Sequence, residues 1–377
     1  MNLKYIRKLL IAALTWAFLS SQSLALCQTV QNPSMGLSGH QLNLLVLGDS
    51  ILWGQGLINK HKTWYLVKTF LSQNTGRDVL EHIEAHSGAL IESGSEDDAP
   101  SPVDGEIDVG EPTVSDQVNR ALRHYVDGSK VDLVLVSGCV NEVGTKNLLN
   151  AAAGTEVITR VTEEKCGPPL ERLLHKITSS FPNADVILTG YYPLFSEKTK
   201  NDFFMKALAR RFLKGRADAH NLRSKEMLER LVANSRVWYQ TSNRTIAGVA
   251  AKINAELQSD GPRQTVSFAE IDFLPEYSFG APETRLWGFN ESPVRRLAVI
   301  STFGKVRLET NDERRRERIG SCNQFFKEKA NETAEQKRER ESRRLLCHFA
   351  ALGHPNRKGA ALYADAITNR LKSMSMR

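Results

Sequence analysis

A serine placed where a short apolar run ends is the first residue type in this chain that could do chemistry. Leu42-Asn43-Leu44-Leu45-Val46-Leu47 passes directly into Gly48-Asp49-Ser50-Ile51. A serine at the carboxyl end of a buried parallel strand sits at the sheet edge where ligands bind, and the glycine beside it lets the backbone approach a substrate. The same tripeptide also makes an ordinary turn and helix cap, so it gains chemical meaning only from company. That company follows other strand ends. His86-Ser87-Gly88-Ala89 and Ser137-Gly138-Cys139-Val140-Asn141-Glu142 offer a backbone N–H and a side-chain amide, the parts of an oxyanion hole. Gly353-His354-Pro355-Asn356 offers a histidine as general base just before the last helix. The chemistry such parts could do together is nucleophilic acyl transfer, with Ser50 the candidate nucleophile and His354 the candidate base.

The elements that must position these residues are readable as apolar runs. Residues 42–47, 79–85, 131–136, 184–189 and, more weakly, 266–271 have the pattern of buried strands. Between them, residues 64–71, 114–126 and 170–177 carry apolar residues at helical spacing, and 359–371 supplies a terminal helix. Strands alternating with helices predict a parallel sheet covered on both faces. Three stretches stand outside this frame as insertions, around 91–111, 200–257 and 275–345. The first holds eight acidic residues, no basic one and several Gly and Pro, and is expected to be an exposed loop. The second is largely helical in pattern, as a cap or side layer. In the third, residues 311–344 mix eleven basic with eight acidic residues at helix-pair spacing, the pattern of a solvated face.

The four blocks resemble those of the GDSL, or SGNH, family of serine hydrolases, in family order and across most of the chain. Gly48-Asp49-Ser50-Ile51 is similar to the first block with Ile for the usual Leu, and Gly88, Asn141 and His354 match the glycine, asparagine and histidine blocks. The resemblance implies a flavodoxin-like three-layer α/β/α sandwich with a five-stranded parallel sheet, here a single domain over 40–377 enlarged by helical insertions. It implies Ser50 as nucleophile, His354 as base, and an oxyanion hole from the N–H groups of Ser50 and Gly88 and the amide of Asn141, with no metal or organic cofactor. Two of the blocks depart from the pattern. Cys139 takes the glycine place of the asparagine block, where Glu142 stands for Asp. The position three residues before the histidine, where the family keeps its acid, is Ala351. Either a backbone carbonyl orients His354 or a carboxylate elsewhere does, Asp272 just past the fifth strand being the candidate.

Composition bounds the rest. The 377 residues are 41% hydrophobic and 25% charged, a folded chain's balance, and the net charge of +7 is no nucleic-acid footprint. Lys4, Arg7 and Lys8 precede an apolar run at 9–19 and small residues to Ala25, so residues 1–25 read as a secretory signal and the protein as secreted or periplasmic. No apolar run reaches the about 20 residues of a membrane span. A lipid anchor on Cys27 is disfavoured by Leu26 before it. An exported chain with four further cysteines favours disulfides; of the three pairings, sequence neighbours favour Cys139 with Cys166 and Cys322 with Cys347. Trp53, Tyr191, Tyr192 and Trp287 are candidates for pocket walls or for core. The tripeptides at Asn243, Asn290 and Asn331 fit the glycosylation pattern. The expected partner is a small-molecule, glycan or lipid ester. An acyltransferase acting on an extracellular glycan, and a binding protein on a decayed hydrolase fold, remain open beside the hydrolase; substrate and oligomeric state are not encoded in any motif.

Overall fold

Runs of Leu, Val and Ile that are too short for helices and broken by Asp, Gly or Ser set five strands: β1 (Leu42–Leu47), β2 (Val79–Ile83), β3 (Leu133–Val136), β4 (Asp185–Thr189) and β5 (Val266–Ala269). The computed structural model describes residues 41–92, 105–107, 112–201, 224–259, 264–290 and 309–374. The signal segment 1–25 and Cys27 lie outside them, as do most of 91–111, residues 202–223 of the second insertion and 291–308 of the third. The strands form one parallel sheet in the order β2-β1-β3-β4-β5, with Leu44 opposite Leu133 and Val46 opposite Ile83. The central strands are apolar at every or nearly every position because both faces of a parallel sheet are covered. Edge strand β2 is correspondingly more exposed, with the pattern Leu80-Glu81-His82-Ile83 after its one buried residue.

Alternation along the strands sorts the side chains into two cores. Leu45, Leu47, Val134, Val136, Val186 and Leu188 pack with α3 (Val114–Tyr125), α6 (Thr155–Ser180) and α7 (Ser224–Ser259). Leu44, Val46, Leu133, Leu135 and Ile187 pack on the opposite face with α2 (Thr63–Thr75) and the terminal α10 (Arg357–Ser373). The architecture is therefore a three-layer α/β/α sandwich, the fold class expected from the sequence. Fully burying each such Leu or Val contributes roughly 1.5–3 kcal/mol, so the two cores are the main support of the frame.

Observed strand ends fall within two residues of the expected ones. The larger difference is α6, which runs 26 residues where only 170–177 was expected, and it carries Pro168 and Pro169 inside it. A proline removes a backbone donor and disfavours a continuous helix locally; here Ile158, Cys166, Leu170, Leu173, Leu174 and Ile177 are all buried along its length, and that continuous apolar face outweighs the break. Two one-turn helices, α4 (Val140–Val143) and α5 (Thr145–Leu148), lead into it. In the third insertion, α8 (Arg315–Phe325) and α9 (Ala334–His348) form a hairpin joined by the Cys322–Cys347 disulfide; the second disulfide joins Cys139 to Cys166. Among the described residues no helix is long and apolar enough to cross a membrane.

Two expectations about the insertions are corrected. The acidic stretch is not exposed throughout: Gly105-Glu106-Ile107 is buried, with Ile107 packed beside Cys322, Phe326 and Cys347. Nor is 311–344 only a solvated face, since Arg318 is fully buried while most of α9 is exposed. The pairing of Glu106 with Arg318 was invisible because the two lie 212 residues apart. Of the glycosylation tripeptides, Asn243 is buried and its amide bridges the backbone N–H and C=O of Tyr191, so it is closed to modification in the folded chain.

Candidate active site

The strand order places β1 between β2 and β3, and the chain leaves the sheet in opposite directions on its two sides; the crevice at the carboxyl ends of β1 and β3 is where such sheets bind ligands. Gly48 ends β1 there with φ +129, and a Cβ on it would lie 2.3 Å from Ser137 Oγ at the end of β3. Only glycine allows the two strand ends this close. Gln117 of α3 clamps the same residue, accepting from the Gly48 N–H at 2.6 Å and donating to its carbonyl at 3.0 Å.

Asp49 then caps α1 (Ser50–Trp53), its Oδ1 accepting from the Ile51 N–H at 2.9 Å. The carboxylate is wholly buried. Its Oδ1 also accepts from the Ser137 hydroxyl at 2.8 Å and its Oδ2 from the Tyr191 hydroxyl at 2.5 Å. Burial raises its pKa and these hydrogen bonds act against the rise. The Tyr191 oxygen in turn accepts from the Val140 N–H at 3.3 Å, so one carboxylate ties together the ends of β1, β3 and β4. Tyr191 and Tyr192 therefore belong to the frame and not to a pocket wall; Tyr192 donates to the Gly353 carbonyl at 2.8 Å. Trp287 is also buried, donating through Nε1 to the Gln55 carbonyl, and Trp53 donates to Glu106.

Ser50 opens α1, and its Oγ lies 2.8 Å from His354 Nε2 across 304 residues of sequence. The histidine loop is pinned on both sides: Gly353 N–H donates to the Trp287 carbonyl, Trp287 N–H donates to the His354 carbonyl at 2.7 Å, and Asn356 caps α10. His354 Nδ1 is buried and makes no hydrogen bond. Asp272 is exposed and does not reach it, so the candidate acid is not brought to the histidine. A side chain just past an edge strand points where that strand ends, and no sequence pattern fixes this. The His354 pKa is pushed down to about 4, first by burial and then by the positive charge of Arg318; the carbonyls of Ala351, Leu352 and Ala350 oppose this in part.

The candidate amide donors lie on the loops after β1, β2 and β3. Gly88 has φ +83, and among the described residues no acceptor takes the N–H of Ser50 or of Gly88. Asn141 donates one amide hydrogen to the Ala89 carbonyl at 2.8 Å, which leaves its second N–H. The neighbouring Glu142 accepts from the Ile91 N–H, and burial raises its pKa to about 7. The loops after β2 and β3 are thus fastened to each other by two adjacent residues.

Behind this row lies a cluster that the sequence did not reveal. Arg318 donates to Glu106 Oε1 at 2.8 Å, to Asp312 Oδ1 at 2.9 Å and Oδ2 at 2.6 Å, and to Thr310 Oγ1 at 3.0 Å. Glu106 also accepts from Trp53, Gln55 and the Gly56 N–H in the turn after α1. A Cβ on Gly56 would lie 2.9 Å from the Cβ atoms of both Ala351 and Asp312, so the cluster backs directly onto the place where an orienting acid would stand. Gln117, which clamps Gly48, carried a sequence signal that went unread, since it shares a helical face with Val114 and Val118. Among the described residues no group of His, Cys, Asp or Glu side chains is arranged to hold a metal ion.

No protein-family model and no curated protein sequence matches the chain. Among solved structures it is similar to an extracellular lipase from Streptomyces rimosus, at 15% identity over 65% of this chain and 87% of that one, with a TM-score of 0.40. It is similar to phospholipase A1 from Streptomyces albidoflavus NA297, at 13% identity over 67% and 89% of the two chains and a TM-score of 0.40. It is also similar to a family 3 carbohydrate esterase of Clostridium thermocellum, at 15% identity over 62% and 81% and a TM-score of 0.32.

Proposed function

We propose that the chain is an exported serine ester hydrolase of the GDSL, or SGNH, type, working through an acyl-enzyme. The observation that carries this is the 2.8 Å approach of His354 Nε2 to Ser50 Oγ at the carboxyl edge of the sheet. Neutral His354, protonated on Nδ1, takes the hydroxyl proton through Nε2 as Ser50 attacks the ester carbonyl. The oxyanion is held by the N–H groups of Ser50 and Gly88 and the second amide hydrogen of Asn141. His354 returns the proton to the leaving alcohol and then takes one from water for deacylation. Every step uses this chain's own groups. The basic, apolar start of the sequence and the two disulfides support export.

With no carboxylate on Nδ1, the imidazolium formed during attack is stabilised only by carbonyl dipoles. Loss of the orienting acid elsewhere costs up to about 10⁴ in rate, so slow turnover is expected. The same orphaned Nδ1 favours a second reading, a binding protein on a hydrolase fold. The test is hydrolysis of short-chain and long-chain p-nitrophenyl esters by the wild type, Ser50→Ala and His354→Ala, with circular dichroism as the fold control. Turnover lost in both variants supports the hydrolase. Equal background rates in all three, with no labelling of Ser50 by a serine-directed phosphonate, leave the binding protein.

A further inference from the structure

Asn141 stands on α4, a single turn of helix that cannot hold itself, because forming a first turn fixes several backbone dihedrals for one hydrogen bond. The residue that starts this turn is Cys139, with φ +153 and ψ −37. Among the described residues three side-chain-bearing positions have positive φ, namely Val126, Cys139 and Asn331, and of these only Cys139 is buried. A non-glycine backbone in such a region persists only where its surroundings over-determine it. Cys139 makes no side-chain cap; instead its sulfur is bonded to Cys166, buried in the middle of α6. The long helix is buried at intervals from Ile158 to Thr178, so the bond joins a turn that cannot hold itself to a long, well-buried helix.

We propose that the Cys139–Cys166 disulfide is a positioning device for the oxyanion donor: it holds Cys139 in a positive-φ backbone conformation that side-chain-bearing residues rarely adopt and glycine tolerates, and so helps fix the direction of the Asn141 amide. This rests on the hydrolase reading of the site. Cys139 and Cys166 touch no reacting atom, and they act through Asn141. The remaining fastenings of the turn are the Tyr191 oxygen on Val140 N–H at 3.3 Å, the Asn141 amide on the Ala89 carbonyl at 2.8 Å, Glu142 on Ile91 N–H, and Val143 N–H on the Cys139 carbonyl at 3.3 Å; the Cys139 side chain is held by the sulfur bond.

Two double variants that keep the Cys322–Cys347 bond separate positioning from general bracing. In Cys139→Ala/Cys166→Ala the Cβ remains at 139 and the tether is gone; in Cys139→Gly/Cys166→Ala the tether is gone and the backbone is free to keep its conformation. The expected result is a fall in kcat of at least tenfold with KM within twofold for the alanine pair, approaching the 10²–10³ of a lost oxyanion donor, and recovery of most of that kcat in the glycine pair. Amide hydrogen exchange over 139–144 is expected to quicken in the alanine pair and to stay closer to wild type in the glycine pair. Equal kcat in wild type and alanine pair, equal loss in both pairs, or failure of both to fold would each overturn the proposal, the last two by making the bond a brace of the fold. If the wild type turns over no ester, the hydrolase reading falls, and the exchange data still decide whether the disulfide holds the turn.

Discussion

The two nitrogens of the His354 ring have opposite circumstances. Nε2 meets Ser50 at 2.8 Å, while Nδ1 is buried without a hydrogen-bond partner and the Arg318 charge lies behind the ring. Both influences disfavour the imidazolium, so the ring is neutral over most of the pH range. The activity that depends on it is expected to rise through an apparent pKa of about 4 and to stay level from about pH 5 to 8, which a kcat/KM profile on a neutral ester will show. An inflection near 6.5 would mean that an acceptor reaches Nδ1 in solution. The same group makes a stability prediction. Its folded pKa lies below the unfolded value, so the folded state binds fewer protons, and its contribution is complete above about pH 6.5 and is lost as pH falls toward 4. That contribution is up to about 3 kcal/mol. Urea midpoints of wild type should decline over that window, and those of His354→Gln should decline less.

Among the elements, α1 shows how a four-residue helix is made reliable. It is held by the close approach of Gly48 to Ser137, by the buried Asp49 cap, and by Glu106 bonding to Trp53, Gln55 and Gly56 just past its end. Gly48→Ala would drive a Cβ into Ser137 at a backbone angle alanine resists, and a loss of about 2–5 kcal/mol in urea unfolding is expected. Glu106→Ala removes one carboxylate from a buried set in which Arg318 and Arg314 face Glu106 and Asp312. Burial raises the Glu106 pKa and the two arginines oppose the rise, so the charged form depends on them. Leaving Arg318 with one fewer partner is expected to cost about 3–5 kcal/mol, read as a lower thermal midpoint. The α8–α9 hairpin should loosen first, seen as faster hydrogen exchange there than in the sheet.

Across the whole molecule the same division recurs between what lies close in sequence and what is assembled from far apart. Leu44 and Leu45 go to opposite cores because side chains alternate along a strand, and that period is present in the sequence. The five strands, their parallel sense and the placement of Ser50, Gly88, Asn141 and His354 beside strand and helix ends were therefore legible, as was the preference for neighbouring cysteine pairs. Gln117 was legible in principle, since it stands three residues after Val114 on a helix face whose other members are apolar. Pro168-Pro169 hid the first half of α6, because local propensity says nothing of the face that overrides it. Asp272 looked suitable by its position after β5, yet a carboxylate's direction depends on the packing of a loop. Glu106 and Arg318 looked like solvated charges because each sits in a charged stretch, and their pairing spans 212 residues. The sequence by itself determined the layers and which residues were candidates for acyl chemistry, since periodicity and strand ends are local properties of the chain. Only the tertiary structure decided that Ser50 meets His354, that Nδ1 goes without an acid, and which charges are buried, because those depend on packing between segments far apart in sequence and burial is a property of the assembled core.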